Sequence, residues 1–188
     1  MKKIILALSL ASVTMMAGAQ ITGVVEYDYD RVAGAKSHSN YVASGLIFNT
    51  KYGNFDGYLQ GVSVYTNGIR DNSGGIEVGY SKQIAVGSIT LSPRVAYGTL
   101  NGITGTKLVK YMLYSAEVSS HINAKTSGFV GLSHMNGMTS SAIPSINRML
   151  IGADYALSEK LSVRVAYSHK WYQGQNANGI MTSLAYSF

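Results

Sequence analysis

The chain has 188 residues, a formal charge of +6, no cysteine and only 13% charged side chains, set against 21 Gly, 14 Tyr and 2 Pro. The absence of cysteine excludes disulfides, thiol nucleophiles and Cys-ligated metal sites. The cations are spread along the chain without a Lys/Arg cluster, which removes the case for nucleic-acid binding.

Residues 1–19 read as a cleaved secretory leader. Lys2 and Lys3 form a short basic start, Ile4 to Met16 is an apolar run, and Ala17-Gly18-Ala19 supplies the small-x-small pattern before Gln20. The run is shorter than the ~20 residues of a spanning helix, and no second apolar stretch follows. Loss of the leader takes Lys2 and Lys3 with it, so +6 becomes +4, and residues 20–188 suit one domain.

From Gln20 onward, side chains alternate with period two in segments of ten or so residues, which is strand patterning. Ten strands are expected, at 21–32, 41–52, 55–66, 76–85, 88–100, 107–121, 126–136, 147–157, 161–172 and 179–188. In the first, Val25, Tyr27 and Tyr29 oppose Glu26, Asp28 and Asp30. In the ninth, Leu161, Val163, Val165, Tyr167 and Trp171 oppose Ser162, Arg164, Ala166, Ser168 and Lys170. Gly and Ser blur the pattern in 55–66 and 126–136.

Gly53-Asn54, Val86-Gly87, 122–125 and 158–160 read as tight turns, whereas 33–40, 67–75, 101–106, 137–146 and 173–178 read as longer loops. Both ends of the mature chain then fall on the short-turn side, so the strand number is even: ten, with eight as the alternative. With the apolar face outward, Tyr52, Phe55, Tyr80, Tyr155, Tyr186 and Phe188 lie near the short turns. Tyr29, Tyr65, Tyr97 and Trp171 lie near the longer loops. Two aromatic rings bracketing an aliphatic band mark the two interfaces of a membrane.

The final segment, Gly179 to Phe188, carries Leu184, Tyr186 and the terminal Phe188 on one face. It resembles the signal that delivers outer-membrane proteins to the barrel-assembly machinery. With the leader and the alternating strands, the whole chain resembles the bacterial outer-membrane β-barrel superfamily. The resemblance implies a closed antiparallel up-and-down transmembrane barrel. It also implies passage through the Sec pathway, periplasmic chaperones and assembly machinery, and a final setting in outer-membrane lipid and lipopolysaccharide.

The inward face is expected to hold Glu26, Asp28, Asp30, Glu77, Glu117 and Asp154 with Lys51, Arg94, His121, Arg148, Arg164 and Lys170. Counting from the 158–160 turn puts Asp154 opposite Arg164, and counting from Val86-Gly87 puts Arg94 diagonal to Glu77. A barrel of ~8 strands is filled by its own side chains and wide channels need ~16. The expectation is therefore a charge-paired, plugged or water-threaded interior; the alternative is a pore with an Arg94–Arg148–Arg164 ladder favouring anions.

A passive structural or narrow porin-like role without a cofactor or metal is the leading expectation. Surface adhesion through the loops is the alternative, and lipid modification the third. Ser133-His134 and Ser168-His169 are sequence neighbours, which point to opposite faces of a strand, so neither forms a nucleophile–base pair. The scattered His38, His121, His134 and His169 have no metal-ligand spacing.

Overall fold

The computed structural model describes residues 20–101, 108–138, 145–172 and 174–188. The expected leader, and most of the expected loops 101–106 and 137–146, lie outside the described residues. Ten antiparallel strands form one sheet: β1 (Gln20–Val32), β2 (Ser37–Thr50), β3 (Gly53–Thr66), β4 (Ile69–Ser81, resumed at Ile84–Val86), β5 (Ile89–Asn101), β6 (Leu108–His121), β7 (Thr126–Gly137), β8 (Ile146–Ala156), β9 (Leu161–Tyr172) and β10 (Gln175–Ser187). Each pairs with its sequence neighbours, and β1 pairs with β10 from Thr22↔Ser187 to Val32↔Ala177, so the sheet closes on itself. The Phe188 N–H extends the seam with a bond of 2.9 Å to the Ile21 carbonyl.

The break in β4 has a local cause. Ser81↔Arg94 and Ile84↔Leu91 keep one register, which sets Pro93 opposite Lys82. Proline has no N–H to give the ladder; its carbonyl still accepts from the Lys82 N–H at 3.1 Å.

Several turns differ from the sequence expectation. The first tight turn is Lys51-Tyr52, two residues before Gly53-Asn54, and the second is Gly87-Ser88 with Gly87 at φ 63°. Moving a turn by two residues leaves both strand faces unchanged, because the side-chain period is two. The expected loop 67–75 is instead a two-residue hairpin. Asn67 (φ 52°) and Gly68 (φ 83°) supply the two left-handed positions of such a turn, and Ile69 to Gly75 pair fully with β3. Strands β2 and β10 likewise begin at Ser37 and Gln175, inside the expected loops 33–40 and 173–178. Polar outward residues at the tops of these hairpins mimic loop composition. The sorting into short turns and long loops is therefore weaker than expected, and closure rests on β1–β10 pairing.

The outer face is apolar over its middle. Val25, Leu59, Ile76, Val78, Val130, Leu132, Ile151, Val165 and Ile180 are between 47% and 59% exposed. Nine aliphatic side chains open to the surroundings on seven of the ten strands would be an aggregation hazard in water and are the normal coat of a barrel in lipid. The expected interface aromatics are on this face too. Phe55 packs on Tyr80 at 5.1 Å and Tyr186 on Phe188 at 5.1 Å near the short turns; Trp171 meets His169 edge-on at 4.4 Å near the other end. Tyr97 and Tyr155 are outward and exposed, and Tyr52 sits in its turn, where its carbonyl accepts from the Tyr80 hydroxyl at 2.7 Å.

Candidate functional site

The inward face is where the chemistry gathers, because alternation puts every second side chain of ten strands into one narrow space. Three charged clusters occupy it.

In the first, Arg94 donates from Nε and Nη2 to Asp56 at 2.9 and 2.5 Å, and from Nη2 to Glu77 at 2.7 Å. Glu77 also accepts from the Tyr111 hydroxyl at 2.7 Å, whose oxygen accepts from Gln60 Nε2 at 2.5 Å. Room for this cluster comes from glycine. A Cβ on Gly79 would lie 2.5 Å from Asp56 Oδ1 and 2.7 Å from Arg94 Nη2.

The second cluster joins β1, β8 and β9. Arg148 donates from Nη2 to Asp28 at 2.8 Å and from Nε to Ser168 at 3.0 Å. Lys170 Nζ donates to Asp28 at 2.9 Å and to Asp30. Asp28 and Asp30 are buried to 1% and 2% exposure, and Oδ1 of each has no hydrogen-bond partner.

In the third, Arg164 grips two carboxylates. It meets Asp154 at 2.7 and 2.9 Å and Glu117 at 2.8 and 3.0 Å, with its guanidinium 4.0 Å over the Phe129 ring. Phe129 forms a small apolar layer with Ala166 and Met181, and Leu150 packs against it. A cavity of about 90 Å³ beside Ser115, Glu117, Ser133, Arg148 and Leu150 is large enough for water.

Of the residues expected inside, Glu26, Asp28, Asp30, Glu77, Arg94, Glu117, Arg148, Asp154, Arg164 and Lys170 are there. Arg164 faces Asp154 in the ladder as counted. Arg94 faces Ser81, four residues from Glu77 rather than two, and its length covers the difference. Lys51 is not lumenal; it is in the first turn with Nζ 4.9 Å over the Tyr52 ring. His121 is exposed at the short-turn mouth.

Asp56 and Gln60 were not among the expected residues, since Gly57 and Gly61 hide the period of their strand. The signal was available in parity: Asp56, Tyr58 and Gln60 alternate against Phe55, Gly57 and Leu59.

The arginine ladder also changes character. Each guanidinium is engaged by at least one carboxylate, so it offers no free row of positive charge to anions.

One pairing that sequence adjacency could not reveal is cross-strand: His121 Nδ1 and Ser127 Oγ are 2.9 Å apart. A nucleophile–base pair needs a third group to orient the base. The nearest acid in register, Asp154 opposite Ser127, is held by Arg164 instead. His134 and His169 turn outward to Asn147 and Asn178 at 2.8 and 2.5 Å.

No family model and no curated protein matches the chain. Solved structures do. The translocator domain of autotransporter NalP from Neisseria meningitidis has a TM-score of 0.56 at 12% identity, covering 100% of this chain and 96% of that one. An outer membrane channel from Pseudomonas putida F1 has a TM-score of 0.57 at 9% identity, covering 92% and 97%. The transport unit of the autotransporter AIDA-I from Escherichia coli has a TM-score of 0.50 at 12% identity, covering 97% and 96%. The chain therefore has the fold of the bacterial outer-membrane β-barrels. Within that fold it is a ten-stranded barrel with a charge-paired interior.

Proposed function

We propose that this chain is a passive, non-catalytic outer-membrane barrel with a narrow porin-like role, passing water and small ions and excluding solutes of sugar size. The observation that carries this reading is the set of ion pairs running across the lumen. Arg148 of β8 reaches β1, Arg94 of β5 reaches β3, and Arg164 of β9 reaches β6. Links between strands two or three apart cut the interior into small polar passages, and ten strands lie near the filled end of barrel sizes.

On this reading the chain is exported through the Sec pathway, loses residues 1–19, and is handed by periplasmic chaperones to the assembly machinery. That machinery would read Leu184, Tyr186 and Phe188, and the apolar coat would then meet phospholipid and lipopolysaccharide. No cofactor is required.

The test pairs two measurements on one refolded sample. Planar bilayers should show small, stepwise ionic conductance, and proteoliposomes should not swell in an isotonic disaccharide. Swelling at the rate of a general porin would overturn the narrow lumen; a flat baseline from folded protein would leave a purely structural barrel.

A further inference from the structure

The chain is basic as a whole, yet its interior is acidic. Seven carboxylates are gathered in the three lumenal clusters: Asp56 and Glu77 with Arg94; Glu117 and Asp154 with Arg164; and Glu26, Asp28 and Asp30 with Arg148 and Lys170. Among the described residues these clusters hold seven acids against four cations, a formal excess of one acid in each. Asp71 lies on the same face near the long-loop end. The remaining described cations lie on the outer face or in the turns and loops, as Arg31, Lys51, Arg70 and Lys160 do.

Two further observations show that this acidity is not fully answered by the protein itself. Glu26 is in no ion pair among the described residues. Its neighbours Asp28 and Asp30, almost wholly buried, each keep one carboxylate oxygen without a partner. Buried carboxylate oxygens left unmatched are costly, and their charge adds to the negative potential of the lumen. In a narrow space with low-dielectric walls, charge of one sign concentrates counter-ions and repels co-ions.

We propose that the lumen is selective for small monovalent cations over anions. This rests on the narrow-passage reading above. It opposes what the three arginines would suggest alone, because each is matched or outnumbered by acids.

The experiment is the reversal potential of the refolded protein across a tenfold KCl gradient. Potassium should permeate several-fold more readily than chloride. Glu26→Gln, which breaks no ion pair, should lower that ratio toward unity with heat-modifiable gel mobility unchanged. Asp71→Asn at the exposed mouth should lower it in the same direction and serves as the variant least able to disturb folding. A preference for chloride, or a ratio that neither substitution moves, overturns cation selectivity while the narrow passage stands. Absence of current from folded protein overturns both.

Discussion

Arg148 on β8 donates to Asp28 on β1 at 2.8 Å, across the two intervening strands β9 and β10. Asp28 is 1% exposed, so this contact, together with that from Lys170, matches a charge buried in the barrel. Arg148→Met should therefore destabilise the barrel by about 2 kcal/mol, since a buried acceptor loses one of its two donors. Lys170 still holds the same oxygen and limits the loss. Arg148→Met combined with Asp28→Leu should cost less than the two single changes summed. Denaturant unfolding in detergent micelles measures this, and strict additivity would show that the contact carries no coupling.

Space inside the barrel is allocated by glycine. Gly79→Val should push Arg94 from Asp56 and cost about 1–3 kcal/mol, as overpacking does. Gly57→Val, on the lipid side where an added Cβ meets nothing within 4 Å, should be tolerated. The same unfolding assay compares the two, and equal losses would contradict the assignment of faces.

Trp171 is the sole tryptophan and lies outward beside His169 near the long-loop end. Interfacial tryptophans sit at headgroup depth. Its emission in vesicles should be blue-shifted, and lipids brominated near the headgroup should quench it more than lipids brominated near the chain terminus. The reverse order of quenching would move the membrane boundary.

Phe188 both closes the β1–β10 seam through its N–H and lies outward against Tyr186. Phe188→Ala keeps the backbone bond and removes the ring. Assembly in cells should fall several-fold while refolding into detergent remains near normal. Equal losses in both would make the residue structural and not part of an assembly signal.

Much of this is legible in the sequence. Alternation alone placed Glu26, Asp28 and Asp30 inside and Val25, Tyr27 and Tyr29 outside, because period two is a property of the extended backbone and survives errors in turn position. Arg164 opposite Asp154 followed from counting back from one tight turn. Hairpin tops were less legible: Ile69 to Gly75 has loop composition but is held as strand by the Asn67-Gly68 turn.

What the sequence determined by itself is therefore local: ten amphipathic strands, their two faces, and the aromatic ends. The tertiary structure decided which charges meet. Arg148 with Asp28 and Arg164 with Glu117 lie 120 and 47 residues apart, and no strand period relates them. Arg148 meets Asp28 only when the first and last strands pair, and Arg164 meets Glu117 only when the sheet curves round, since curvature and closure set which inward side chains share the lumen.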